Sequence, residues 1–313
     1  MLAGEGHAMR IAITGASGFV GSSLATSAAA AGHTVLSLVR RAPRAAGEVA
    51  WQPESGAIDA TALGAIDAVV HLAGDNVAAG RWTARRRTAI AASRGPVTTA
   101  LCRTLAGLPQ RPSVLVSASG TGIYGDRGDE VLTEDSEVGD GFLADVARAW
   151  EAGTAAAADA GVRVVNLRIG MVCDPAGGAL RRMLPPFRLG LGGRLGSGRQ
   201  WLGWITRDDL VAAILFCLQR DLHGPVLAVA PQPVTNRAFT AALGRALHRP
   251  TVLPVPAFAL RMLFGDMANE LLLASQRTMP TRLPAAGFPY RHPDLEPAMR
   301  SLFAKTPGAS EQA

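Results

Sequence analysis

The 313-residue chain reads as an α/β protein: a doubly wound parallel sheet followed by a smaller, mainly helical C-terminal unit. Three observations carry that reading. Short β-branched, apolar runs alternate with helical stretches through the first half, and a glycine-rich turn directly follows the first run. Near residue 174 the texture then changes to chain broken by proline and glycine.

The elements follow in order. Arg10–Thr14 (RIAIT) is the first strand, Phe19–Ala31 its helix and Thr34–Val39 the second strand. A later strand spans Asp67–Ala73, followed by a helix over 83–105; Ser113–Ser119 is the next strand, then a long helix over 142–160 and a strand over 162–169. Near-continuous apolar strands of this kind are buried on both faces. Beyond Asp174, Pro175, Gly177-Gly178, Pro185-Pro186 and the glycines from Gly190 to Gly198 interrupt the chain. A helix over 208–220, capped by Asp208, and a strand over 226–229 restore the earlier rhythm; helices over 236–247, 257–264 and 270–277 follow. The expected organisation is a disordered extension over 1–8, a dinucleotide-binding unit over 9–174 to which 203–230 returns, a substrate-binding unit from 175–202 and 231–303, and a disordered tail over 304–313.

Composition narrows the function classes. The chain is 48% hydrophobic and 18% charged, enough to bury a full core. It holds no apolar run long enough for a membrane-spanning helix. The opening MLAGEGHA carries Glu5 and neither a basic start nor an apolar run, so no secretory signal is expected there. Cys102, Cys173 and Cys217 have no metal-ligand spacing, the six histidines show no paired motif, and a reducing, cytoplasmic setting without a metal is expected. The net charge of +6 raises nucleic acid as a partner, but the arginines are scattered; Arg81 with Arg85, Arg86 and Arg87 reads as a solvated helix face. No nucleic acid or membrane partner is expected.

The turn Thr14-Gly15-Ala16-Ser17-Gly18-Phe19-Val20-Gly21 lies between the first strand and its helix. GxxGxxG spacing puts glycine where a tight turn, close approach to a pyrophosphate and helix–strand packing each forbid a side chain. The helix N-terminus then offers unpaired N–H groups to the phosphates. That makes the first unit Rossmann-type. The second strand ends in Arg40-Arg41 where an NAD site carries a carboxylate for the ribose; two arginines and no acid favour the 2′-phosphate of NADP(H).

Further motifs give a resemblance. TGASGFVG at 14–21, His71-Leu72-Ala73-Gly74, Ser117-Ala118-Ser119, Tyr124-Gly125 and Leu167-Arg168 resemble the short-chain dehydrogenase/reductase superfamily in its extended or atypical branch. Arg81-Trp82, Ser93-Arg94, Trp150-Glu151 and MLPPFRLGLGGRLGSGRQWLGWI at 183–205 narrow it to the NAD(P)-dependent epimerase, nucleoside-diphosphate-sugar-epimerase-like group with a DUF1731-type C-terminus. The similarity runs from about Met9 to Leu302. It implies that Gly15, Ser17, Gly18, Phe19 and Val20 hold the pyrophosphate, and that Arg40 and Arg41 take the 2′-phosphate. It further implies that Leu72, Ala73 and Gly74 line the adenosine, that Arg94 approaches the cofactor, that Ser117, Ala118 and Ser119 face the nicotinamide, and that Met171 and Val172 border its ribose and amide.

Two departures bear on mechanism. Active members use a tyrosine with a lysine four residues later as acid/base; here those positions fall on Leu143 and Ala147, which cannot transfer a proton. Ser119, Thr121 and Tyr124 are the candidate substitutes, with Asp145 and Arg148 near the vacated positions and Arg148 or Arg168 available to lower the Tyr124 pKa. The arginine that binds a sugar nucleotide's diphosphate is replaced by Leu202, leaving Arg188, Arg194 and Arg199 as a candidate anion pocket or as surface residues. Trp201 and Trp204 either stack on a substrate or close the interface between units.

Two readings stay open. One is an NADP(H)-dependent epimerase/dehydratase-like oxidoreductase acting on a small molecule. The other is an NADP(H)-binding protein with little or no catalysis, a redox sensor or partner-binding module. A homodimer through the two long helices is possible by analogy with the superfamily.

Overall fold

The computed structural model describes residues 8–304. The extension and tail expected at 1–8 and 304–313 lie outside that range, apart from Ala8 and Ala304. Seven parallel strands form the central sheet: β1 (Arg10–Thr14), β2 (Thr34–Val39), β3 (Glu48–Ala50), β4 (Ala68–His71), β5 (Val114–Gly120), β6 (Arg163–Ile169) and β7 (Gly224–Ala228). They lie in the order β7-β6-β5-β4-β1-β2-β3. The chain runs outward from β1 through β2 and β3, then restarts at β4 on the opposite side of β1, which opens a crevice at the carboxyl ends of β1 and β4.

Side-chain alternation along the strands builds two cores. Ile11, Ile13, Val114 and Val116 pack toward the helices Phe19–Ala30 and Arg207–Gln219, against Leu24, Leu210, Val211 and Ile214. Ala12, Val69 and Leu115 face the other way, onto Val97, Leu101 and Leu105 of the helix Gly95–Ala106. A third core joins the helices Gly178–Arg188, Asn236–Leu247 and Leu295–Phe303 through Leu184, Phe187, Phe239, Leu243 and Met299. Trp204 is fully buried there, its indole N–H donated to the Gln232 carbonyl.

Several elements differ from the expected ones. The helix over 83–105 is two helices, Ala84–Ala92 and Gly95–Ala106, because Pro96 has no N–H for the preceding turn and sits instead in the first turn of the second helix. The helix over 142–160 divides into Phe142–Ala152 and Ala155–Asp159 around Gly153, where a Cβ would lie 2.9 Å from the Gly95 carbonyl oxygen. Pro185 and Pro186 do not break the chain; they lie inside the helix Gly178–Arg188. In place of a helix over 270–277 there is a π-helical turn, Ala268–Leu273, then a short strand, Arg277–Thr278. Thr206, not Asp208, caps the helix Arg207–Gln219, its hydroxyl accepting the Asp209 N–H at 3.2 Å.

Candidate functional site

The glycine turn floors the crevice. Gly15 has φ +71°, and a Cβ there would lie 3.0 Å from the Leu72 carbonyl carbon. The Gly18 N–H closes the turn on the Gly15 carbonyl at 2.9 Å. A Cβ on Gly21 would meet that same oxygen at 2.1 Å, so the third glycine lets the helix lie directly on the turn. The helix Phe19–Ala30 begins without a side-chain cap and without an acidic residue in its first turn, which leaves its amides and positive dipole end for an anion.

Beneath the turn, Thr14 and His71 tie β1 to β4. The Thr14 hydroxyl accepts the Leu72 and Ala73 N–H groups at 3.1 and 3.2 Å, so its own proton goes to His71 Nδ1, 2.7 Å away. His71 Nε2 then carries the ring proton and donates to Thr98 Oγ1 at 2.9 Å on the helix Gly95–Ala106. His71 is completely buried, and burial lowers its pKa to about 4, so the ring is neutral at physiological pH. A strand histidine that looked central in the sequence is a structural strut.

The adenosine side is built from the loop after β4. Gly74 packs on the Arg94 guanidinium, which donates to the Asp75 carbonyl at 2.8 Å and to the Ile90 carbonyl at 3.1 Å, and stacks over Trp150 at 4.8 Å. Burial pulls the Arg94 pKa down to about 10, which leaves it charged. Its fork holds the loop that follows β4. Arg40 and Arg41 differ sharply. Arg41 is committed to Glu48 by two hydrogen bonds of 2.8 and 2.5 Å, whereas the Arg40 side chain has no hydrogen-bond partner among the described residues. The Arg41 fork and the Arg44 N–H hold the Glu48 carboxyl down to about 2.

At the other end of the crevice, β5 carries Ser117, Ala118 and Ser119. Ser117 Oγ is buried without a hydrogen-bond partner among the described residues, and Ser119 donates to Glu151 at 2.8 Å. Glu151 also receives a bidentate pair from Arg168, at 2.8 and 2.9 Å. Arg168 in turn donates to the Tyr124 hydroxyl at 2.9 Å, and Tyr124 donates to the Thr133 carbonyl at 2.8 Å. Burial raises the Tyr124 pKa against the opposing pull of Arg168, so the depressed value that an acid role required is not there. Arg148 pairs with Asp145 and the Gly139 carbonyl instead. Thr121, also buried, opens the short 3₁₀ turn after β5. At the vacated proton-transfer positions, Leu143 packs over Gly122 and Ala147 is buried. Met171 and Val172 belong to a short strand paired in parallel with Trp204–Thr206, beside the carboxyl end of β6.

The cleft itself spans about 660 Å³ and is lined by Ser17, Gly18, Phe19, Arg181, Arg182 and Arg207. The sequence reading missed these three arginines. Gly177 and Gly178 let the helix Gly178–Arg188 approach the Phe19 ring, where a Cβ on Gly177 would come within 2.2 Å. Arg207 lies over the same ring at 5.2 Å and pairs with Asp174 at 3.0 Å. Arg182 donates to the Ala78 carbonyl across the cleft mouth. The available signal was Gly177-Gly178 followed closely by Arg181-Arg182, a second glycine-led helix start with cations in its first turn. Arg194, by contrast, folds back on the Ser197 carbonyl of its own loop at 2.8 Å. Trp201 donates to Asp129 and is covered by Arg277, so its ring braces the join between units. Among the described residues no group of three His, Cys, Asp or Glu is placed to hold a metal, and no helix is long and apolar enough to cross a membrane.

A turn that only glycine can make, uncapped amides beside it and a cationic cleft fit a dinucleotide's phosphates; the strand order and switch point make this a Rossmann-class dinucleotide-binding protein. Comparison with known proteins makes this specific: the chain belongs to the NAD dependent epimerase/dehydratase family, whose model matches residues 11–230. Residues 255–302 match a domain of unknown function, DUF1731. The chain is 46% identical over 290 residues to the epimerase family protein Mb2239 of Mycobacterium bovis, covering 92% of this chain and 96% of that one. It is similar to the crystal structure of human epimerase family protein SDR39U1 (isoform 2) with NADPH, at TM-score 0.87 and 32% identity, covering 95% of this chain and 100% of that one. A nucleoside-diphosphate sugar epimerase from Corynebacterium glutamicum superposes with TM-score 0.76 and 37% identity, covering 95% of this chain and 58% of that one.

Proposed function

We propose that this protein binds NADP(H) across the carboxyl ends of β1 and β4 and acts on a small molecule as an epimerase/dehydratase-like oxidoreductase. The observation that carries the reading is the glycine turn with its uncapped helix, flanked by Arg40, which pairs with no carboxylate among the described residues. The Gly15, Ser17, Gly18, Phe19 and Val20 backbone would hold the pyrophosphate, and Arg40 the 2′-phosphate. Leu72, Ala73 and Gly74 would line the adenosine; Ser117, Ala118 and Ser119 would face the nicotinamide, with Met171 and Val172 at its ribose. The human relative crystallised with NADPH supports the choice of NADP(H). The cofactor, when bound, supplies hydride transfer. The protein's own part is to orient it: Arg94 fixes the loop after β4, and Thr14 with His71 fixes the strand ends. Three buried free thiols support a reducing, cytoplasmic setting.

One observation favours the second reading, an NADP(H)-binding protein with little catalysis. Leu143 and Ala147 stand where the proton-transfer pair belongs, the Ser119 hydroxyl is given to Glu151, and the Tyr124 hydroxyl to Thr133. The test separates the two. The protein is mixed with NADP+ or NADPH and with panels of sugar nucleotides and small carbonyl compounds. Cofactor absorbance reads net redox, and proton NMR of the panel compounds reads redox-neutral epimerisation or dehydration, in which the hydride returns to the substrate. A protein-dependent change in either readout with any panel member supports the enzyme. Saturable cofactor binding with no change in either readout across the panels selects the second reading.

A further inference from the structure

Among the described residues, seven of the ten large apolar side chains that stand exposed lie in two neighbouring segments: Leu189 and Leu191, then Val252, Leu253, Phe258, Met262 and Leu263. The segments meet. Pro250 packs at Gly190, the Arg249 guanidinium donates to the Arg188 carbonyl at 2.9 Å, and Leu195 bridges to Val255. On the helix Ala257–Phe264, Leu260 is buried and Phe264 packs against the core around Trp82 and Ile90, while Phe258 and Met262, one turn apart, are 70% and 72% exposed.

Charge around the patch is predominantly positive. From Pro175 to Arg207, and again from Leu222 to Gly265, the chain contains no Asp or Glu, while Arg188, Arg249 and Arg261 are exposed beside the apolar residues. The carboxylates next to the second segment in space or sequence are already spent: Asp266 pairs with Arg87 and Glu296 with Arg245. A cluster of exposed apolar side chains whose rim carries unpaired positive charge and only arginine-paired carboxylates marks an interaction site rather than ordinary surface.

We propose that this face lies on an anionic lipid surface, with Phe258, Met262, Leu263, Leu189 and Val252 entering the headgroup–acyl boundary and Arg188, Arg249 and Arg261 meeting lipid phosphates. Charge selects the occupant. Two copies of this chain would bring like-charged rims together, whereas a negative leaflet attracts them. Exposure selects it further: side chains about three-quarters exposed stand proud of the surface, and a fluid interface envelops protruding groups without a matched pocket. Among the described residues no helix is long and apolar enough to cross a membrane, and lying on one requires none. The proposal goes beyond cofactor binding and does not depend on it.

The test is co-sedimentation of the full chain with vesicles of phosphatidylcholine, with and without phosphatidylglycerol, at low and high salt. The wild type is expected to pellet only with the anionic vesicles and to be released by salt. Joint replacement Phe258→Ser and Met262→Ser should weaken binding at least about tenfold. Arg188→Gln, at a side chain with no hydrogen bond among the described residues, should cost about fivefold. Circular dichroism and NADPH titration check that the variants remain folded. Failure of the wild type to bind anionic vesicles at low salt overturns the proposal. So does undiminished binding by the folded double variant. So does a concentration-dependent dimer abolished by the same replacements, which would make the patch a contact between copies.

Discussion

His71 makes the stability of the cofactor floor depend on pH, with a magnitude that follows from its burial. The ring is fully buried between Thr14 and Thr98, with a folded pKa of about 4 against 6.5 when exposed. Above pH 6.5 the imidazole is neutral in both states and contributes no dependence. Between 6.5 and about 4 only the unfolded chain takes up the proton, so acidification lowers stability; below about 4 the whole effect has been lost. The difference between the two values corresponds to about 3 kcal/mol. The comparison variant is His71→Asn, whose side-chain oxygen can still accept from Thr14 but does not titrate. Urea unfolding of both proteins, repeated from neutral pH down to about 4, isolates the contribution as the difference between the two pH profiles. Wild type should lose about 3 kcal/mol more than the variant across that window. Parallel profiles would refute the claim that the strut is a buried neutral histidine.

Other outcomes follow from particular contacts. Arg40→Ala should weaken NADPH about ten- to a hundredfold and leave NADH unchanged, because a charge-assisted contact to a 2′-phosphate is worth about 1.5–3 kcal/mol. Arg41→Ala should change neither affinity much, since Glu48 already holds its fork; paired titrations of both variants check this. Gly21→Ala places a methyl 2.1 Å from the Gly15 carbonyl oxygen, so binding of both nucleotides should fall together, by at least about tenfold if the turn shifts. Tyr124→Phe should cost about 1–3 kcal/mol in urea unfolding, by leaving an Arg168 N–H unpaired and the Thr133 carbonyl with only the Ser136 N–H, and should leave NADPH affinity unchanged.

The sheet was legible where one physical cause dominated. Strands such as Ala68–His71, buried on both faces, are apolar almost throughout, and the glycine turn is dictated by approaches of 2.1 to 3.1 Å that no side chain survives. Breaks inside helices were harder to see. Residues 83–105 are helix formers on both sides of Pro96, and only attention to its missing N–H divides them. The least legible features join distant parts of the chain. Glu134, exposed to 2%, accepts from Leu227, Thr281 and Arg282, nearly a hundred or more residues away, and nothing near it in sequence announces those partners. The same holds for the cleft arginines. Arg181, Arg182 and Arg207 look like three among many until Gly177 and Gly178 bring their helix onto Phe19. Even adjacent residues divide this way: Arg40 and Arg41 are equivalent in sequence, and only the position of Glu48 separates a committed arginine from a free one.

Isothermal titration of the cofactor-free wild-type protein with NADPH and, separately, NADH tests the central claim most directly. Saturable binding at one site per chain, with NADPH about ten- to a hundredfold tighter, is the predicted result. Absence of heat with either nucleotide would reduce the glycine turn to architecture and contradict the account; NADH binding as tightly as NADPH would remove the role given to Arg40.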